Sequence, residues 1–75
     1  MHHTVMDELV ESLIAQIENR QILEMFSPYE KMHYYTGILN GFRKTASAFS
    51  LNAEQKDQVI SYFSRRIIEF RKQQQ

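Results

Sequence analysis

Acidic, basic and aromatic side chains with possible proton-transfer chemistry occur together in one stretch, residues 30–35. If this stretch is helical, Glu30 and Tyr34 are one turn apart, and so are Lys31 and Tyr35. A histidine such as His33 can exchange protons near neutral pH. Each residue type also suits a structural role, since Glu30 follows a helix-capping serine and Tyr35 falls on an apolar face. We therefore predict no catalytic residues.

Other motifs of enzymes and metal sites are missing from the sequence. There is no glycine-rich phosphate loop, no nucleophile elbow and no pair of histidines one helical turn apart. The chain has no cysteine, which excludes disulfides, thiolate metal ligands and cysteine nucleophiles. A square-planar copper or nickel chelate could form at His3 with a free Met1 amine, but we interpret this spacing as accidental. We expect no enzyme activity, no cofactor and no metal.

Helix-start signals at three places determine the predicted architecture. Ser27-Pro28-Tyr29-Glu30 combines a capping serine, a proline at the first helical position and a reciprocal glutamate. Asn52 with Gln55 repeats this pattern, and Thr4 with Asp7 gives a looser version of it. The sequence therefore predicts an all-α three-helix bundle with helices at about 5–19, 28–47 and 53–72, in a single domain spanning residues 1–75. Residues 1–3 and 73–75 are expected to fray.

The apolar stripe of the first predicted helix fails near residue 19. Its members are Met6, Leu9, Val10, Leu13, Ile14 and Ile17. Continuing the same face leads to Arg20 and Glu24, so the helix is expected to end there, with Asn19 as a left-handed cap. Residues 21–26 then form a tight connection or a short turn in which Ile22, Met25 and Phe26 close one end of the bundle.

The second and third predicted helices carry clear core faces. They consist of Met32, Tyr35, Leu39, Phe42, Ala46 and Phe49 in one helix, and Val59, Ile60, Phe63, Ile67 and Phe70 in the other. A run of small residues on the second helix, Gly37, Gly41, Thr45 and Ala48, suggests close helix packing or a dimer contact. The alternative is that Asn40-Gly41 is a turn that splits this helix in two.

Charge is distributed unevenly, although the whole chain is formally neutral. Residues 1–40 carry a net charge of −4 and residues 41–75 carry +4. One interpretation is that an acidic first helix packs beside a basic last helix, within the chain or across a dimer. The alternative is a nucleic-acid-binding regulator whose phosphate contacts come from Arg43, Lys44, Arg65, Arg66, Arg71 and Lys72.

Size and surface composition favour an interaction module. A chain of 75 residues is near the lower limit for a single hydrophobic core, so a homodimer is expected. Neither a membrane span nor a signal peptide is evident, and we expect a cytoplasmic protein. Surplus aromatic and apolar groups predict a protein-binding edge formed by Tyr34, Tyr62, Ile68 and Arg66. The acidic face around Glu8 and Glu11 is the alternative surface. The predicted function is a non-catalytic regulatory or adaptor module.

Overall fold

The computed structural model describes residues 7–74, whose elements of secondary structure are helices, with no strand. Helix α1 is Glu8–Ile17, α2 is the short Arg20–Leu23, α3 is Pro28–Thr45 and α4 is Ala53–Lys72. A 3₁₀ turn, Ala46–Phe49, connects α3 to α4. The all-α prediction is therefore confirmed for this part of the chain, with one short helix added to the expected three.

Both strong helix-start signals are confirmed as reciprocal capping boxes. The backbone N–H of Glu30 donates to the Ser27 hydroxyl at 3.2 Å, and the Ser27 N–H donates to the Glu30 carboxylate at 2.9 Å. Asn52 and Gln55 exchange the same two bonds at 2.8 and 2.9 Å. These bonds satisfy N–H groups that have no partner inside the helix, and they fix where α3 and α4 begin.

Helices α3 and α4 form an antiparallel hairpin that contains most of the core. The rings of Tyr35 and Phe70 stack at 5.8 Å, near the start of α3 and the end of α4. The buried side chains of this pair are Tyr35, Leu39 and Phe42 from α3, with Val59, Phe63, Ile67 and Phe70 from α4. Between the helices the chain reverses at Ser50, whose left-handed φ of 53° is unusual for a residue other than glycine.

Helix α3 is continuous through Asn40 and Gly41, so the alternative of a turn at this dipeptide is wrong. Neither Gly37 nor Gly41 has a positive φ. Regular helix geometry persists because the apolar positions on both sides of the dipeptide share one buried face.

Helix α1 packs on the hairpin through one narrow apolar face. Val10 and Ile14 are buried, while Leu13 and Ile17 are partly buried against the core. At the start of the helix, the backbone N–H of Asp7 donates to the side-chain oxygen of Gln58 at 3.2 Å. Helix α1 therefore contributes fewer buried residues than α3 or α4.

The ends of α1 differ from the prediction. Asp7 is the N-cap, and its carboxylate accepts from the Leu9 N–H at 2.8 Å, so the helix begins three residues later than expected. Thr4 lies outside the described residues. The predicted left-handed cap at Asn19 is wrong, because Asn19 is extended (φ −91°, ψ 99°) and its side chain accepts from the Ile22 N–H to cap α2.

The predicted end plug is partly wrong. Leu23 is buried and Phe26 is half-buried against the core, whereas Ile22 is 41% and Met25 83% exposed. The reason is geometric, since α2 restarts helical periodicity at Arg20 and its single turn presents Leu23 to the hairpin.

Candidate functional site

A buried carboxylate, Glu18, lies at the junction of α1 and α2. The residue is only 6% exposed. The Tyr62 hydroxyl lies 2.9 Å from each carboxylate oxygen, and the Tyr35 hydroxyl donates to Oε2. A buried carboxylate is costly unless it is hydrogen-bonded, and here two phenol groups from separate helices supply those bonds.

Two arginines complete this Glu18 cluster, which we define as Glu18, Tyr35, Tyr62 and Arg66 with Arg20 at its edge. The Nε atom of Arg66 lies 4.0 Å from Glu18 Oε2 and, although it is buried, has no hydrogen-bond acceptor among residues 7–74. The Arg66 guanidinium lies over the rings of Tyr35 and Phe70 at 5.4 and 5.0 Å, and Nη1 donates to Glu69 at 2.8 Å. Arg20 approaches Glu18 at 3.6 Å with its side chain 86% exposed. Arg66 is therefore held mainly by ring stacking and by Glu69.

Local backbone geometry directs Glu18 inward. Its N–H donates to the Ile14 carbonyl at 2.8 Å, which closes the last turn of α1, and its own backbone is extended (φ −83°, ψ 108°). A third tyrosine fixes the next residue, because the Asn19 N–H donates to the Tyr34 hydroxyl at 3.2 Å and that hydroxyl donates to the Ile17 carbonyl. Three tyrosines on α3 and α4 thus fasten the junction of α1 and α2.

The buried hydroxyls are held in their neutral form. Burial, together with the hydrogen bond to Glu18, raises the pKa of Tyr35 and of Tyr62 above the ordinary value for tyrosine, while the charge of Arg66 opposes the shift. Both phenols therefore remain hydrogen-bond donors to the carboxylate at physiological pH.

A cleft of about 350 Å³ lies beside the cluster. Its lining residues are Glu18, Arg20, Leu23, Glu24, Lys31, Tyr35, Tyr62 and Arg66. The Lys31 ammonium lies 5.2 Å from the centre of the Phe70 ring. The Glu18 oxygens already accept from two phenols and face arginine cations. The Glu18 cluster therefore joins the helices through polar contacts.

The predicted protein-binding edge is divided by the structure. Tyr62 and Arg66 belong to the Glu18 cluster, and the Tyr34 hydroxyl is bonded to the backbone at residues 17 and 19. Ile68 is 48% exposed and stands apart from the core. In the stretch that suggested proton transfer, Glu30 serves as a cap and the His33 ring packs against Tyr29 at 4.4 Å.

Glu18 is not among the functional residues predicted from the sequence. The available signal was an acid at the position where the first apolar stripe fails, opposite tyrosines at core positions of two other helices. Helical periodicity places Glu18 outside the apolar stripe of the first helix. No local pattern indicates an acid that bonds to residues 17 and 44 positions away.

The predicted small-residue face is open within the chain. Within the described part of the chain, no atom of another element lies within 4 Å of where a Cβ would stand at Gly37 or Gly41. Thr45 and Ala48 are exposed, and the Thr45 hydroxyl donates to the Gly41 carbonyl at 2.8 Å. Of the predicted phosphate-binding residues, Arg43, Lys44, Arg65, Arg71 and Lys72 are exposed, whereas Arg66 is engaged as described above.

An apolar groove lies at the other end of α1. Leu9 is 53% and Phe49 37% exposed, and they line a groove of about 170 Å³ with Leu13, Leu51, Ser12 and Gln16. Phe49 stacks on buried Phe42 at 5.6 Å, which holds its ring in place. We refer to this surface as the Leu9–Phe49 groove.

Comparison with known proteins assigns no function to this chain. No protein-family model, curated protein or solved structure matches this chain. Within residues 7–74, no group of three or more histidine, cysteine, aspartate or glutamate side chains is arranged to hold a metal ion. The helices of this same region are all too short or too polar to cross a membrane. The function of the chain is therefore inferred from its own residues.

Proposed function

We propose that this protein is a non-catalytic interaction module that forms a homodimer and binds another protein. The observation that carries the proposal is the set of large apolar side chains left on the surface: Leu9, Ile22, Met25, Tyr29, Phe49 and Ile68. Methionine and aromatic side chains are enriched in protein interfaces, because they bury much area and adapt to the partner.

The Leu9–Phe49 groove is the favoured protein-binding surface. It is concave and mainly apolar, and the Phe42 ring supports one wall from inside the core. The edge predicted around Ile68 is the competing surface, although three of its four residues have polar groups engaged within the chain.

Binding of nucleic acid is the second candidate function. Five exposed cations favour it, and the engagement of Arg66 with Glu69 and with two aromatic rings weighs against it. A phosphate contact by Arg66 would have to replace those interactions. We therefore place protein binding first.

Affinity capture from the native host with paired variants tests the proposal. We expect the Leu9→Ser, Phe49→Ser double variant to lose a partner that the wild-type protein retains, while its far-ultraviolet circular dichroism stays unchanged. Ile68→Ser is the matched control, since it removes an apolar side chain of similar exposure elsewhere. Loss of the partner in the control alone would show that the partner binds at Ile68 and not at the groove. If the wild-type protein retains no specific partner, the proposal fails.

A further inference from the structure

The break between α1 and α2 has a local contribution from the Asn19 side chain, which accepts from the Ile22 N–H and caps α2. Residues 8–26 contain neither glycine nor proline, and they are rich in leucine, glutamate and glutamine, which favour helix. The helix is interrupted only because Glu18 and Asn19 are extended, with ψ values of 108° and 99°. Their contacts with Tyr34, Tyr35 and Tyr62 hold this bend, so tertiary structure maintains a break that the segment itself does not require.

Apolar residues on the two sides of the bend would face opposite directions in a straight helix. Ile14 and Leu23, both buried, are nine residues apart, which at about 100° per residue places them on opposite sides of one helix. A continuous helix over residues 8–26 therefore cannot bury both on a single hairpin. It can bury them on two hairpins, one on each side.

We propose that two copies of this chain exchange α1. The bend at Glu18–Asn19 straightens, α1 and α2 become one helix, and α1 of each copy packs on the α3–α4 hairpin of the other. The surface that would bind α1 of a second copy is already formed in the structure. It is the surface of the hairpin that covers Val10 and Ile14 and holds Glu18 between Tyr35 and Tyr62. The exchange reproduces the packing of Val10 and Ile14 on a hairpin, and it replaces the Asn19 cap and the Tyr34 bonds at the bend with helical hydrogen bonds.

Exposed apolar groups at the bend give the exchange a further source of stability. Ile22 and Met25 are 41% and 83% exposed, and they belong to the segment where two exchanged copies adjoin. This inference rests on the homodimer in the proposed function, and it states which segment forms the dimer.

A proline at position 20 is compatible with the bent form of the chain and incompatible with the straight form. Arg20 is the first residue of α2 and follows an extended residue, so Arg20→Pro suits the bent form. In a straight helix the same proline lacks the N–H that would donate to Gln16 and clashes with that carbonyl. We expect Arg20→Pro to raise the dimer dissociation constant at least about 100-fold. Arg20→Ala is the matched control, since it removes the Glu18 ion pair without the ring, and it should leave the dimer intact.

Asn19→Ala is the converse variant. It removes the α2 cap and favours a continuous helix, so the dimer dissociation constant should fall. Sedimentation velocity measures all three variants against the 9.0 kDa mass of one chain. Equal dissociation constants for Arg20→Pro and Arg20→Ala would overturn the exchange.

Cross-linking between chains gives a second readout. The natural chain has no cysteine, so Asp7→Cys and Gln58→Cys place single thiols at two positions that are in contact. When chains carrying one or the other variant are unfolded together and refolded, a short bismaleimide should link position 7 of one chain to position 58 of the other. A dimer with no such link would refute the exchange while leaving the homodimer standing. A wild-type monomer at about 100 μM would refute both, and binding to the other protein is judged separately by the Leu9→Ser, Phe49→Ser variant.

Discussion

Glu18 is the residue on which the three long helices converge. A buried charge of this kind adds little net stability compared with an apolar core, yet removing one member leaves the other polar groups without partners. The carboxylate accepts from Tyr35 on α3 and Tyr62 on α4, and it faces Arg66 one turn further along α4. The cluster therefore specifies how α1 sits on the hairpin.

Neutralising Glu18 should destabilise the protein clearly. Glu18→Gln places an amide beside two phenol donors and removes one of the two carboxylates that approach Arg66, leaving Glu69. We expect the free energy of unfolding to fall by about 2–3 kcal/mol, measured by urea denaturation. Glu24→Gln is the control, because Glu24 lines the same cleft but is exposed, and it should change stability by less than about 0.5 kcal/mol. Equal effects of the two substitutions would contradict the structural role of Glu18.

The raised pKa values of Tyr35 and Tyr62 predict that the folded protein loses stability at alkaline pH. In the folded protein the pKa of Tyr35 and Tyr62 is raised by burial and by Glu18, whereas the unfolded chain has the ordinary tyrosine pKa of about 10. The unfolded state therefore releases protons first, and the stability that is fully present below about pH 10 falls as pH rises beyond it. Urea denaturation from about pH 8 to pH 11 measures this slope.

The Tyr62→Phe variant tests the origin of that slope. It should be less stable than the wild-type protein at neutral pH and should lose less stability on going to alkaline pH, because one of the shifted groups is gone. Tyr29→Phe serves as the control, since the Tyr29 side chain is 57% exposed. An unchanged alkaline slope in Tyr62→Phe would show that this residue is not responsible.

At the scale of elements, α3 carries two helical glycines with open space beside them. Because no atom of another element lies within 4 Å of a Cβ built at Gly41, Gly41→Ala should increase the free energy of unfolding by about 0.5–1 kcal/mol. Thermal and urea denaturation measure this gain, and Gly37→Ala should show a similar one. Destabilisation by Gly41→Ala would mean that the glycine is needed for a contact outside the protomer.

A larger side chain at Gly41 distinguishes two possible forms of the dimer. If the small-residue face of α3 meets a second copy, Gly41→Leu should dissociate the dimer by overpacking. If the copies exchange α1, the face stays free and Gly41→Leu leaves the sedimentation coefficient that of a dimer. Sedimentation at matched concentrations decides between these outcomes.

At the scale of the whole molecule, the separation of charge bears on the choice of partner. Residues 41–75 carry a net +4, but Arg66 is stacked on aromatic rings and paired with Glu69. We expect no binding of duplex DNA or single-stranded RNA even at low salt, measured by fluorescence anisotropy. Tight binding that weakens steeply with salt would favour the nucleic-acid alternative. Charge reversal at the exposed residues Arg65 and Arg71 should then weaken it for all nucleic-acid sequences.

The sequence by itself determined the helical class, the starts of α3 and α4 and the core of the hairpin between them. Capping boxes are local, because Ser27 and Asn52 bond to residues three positions away. Periodicity is also local, and it identified Tyr35, Leu39, Phe42, Val59 and Phe63 as core residues. Such features need no knowledge of where other elements lie.

The sequence predicted that the first helix ends near residue 19, but only the tertiary structure decided the extended bend at Glu18 and Asn19 and the role of Glu18. The chain around residues 18 and 19 contains neither glycine nor proline, and the bend combines the local Asn19 cap of α2 with bonds to phenol groups 15 to 44 positions away. Long-range contacts also bury Leu23 instead of Ile22 and Met25, and they leave the glycines of α3 facing open space. The physical reason is that a buried carboxylate is tolerated only where several elements bring donors to it, and such convergence is a property of the folded chain.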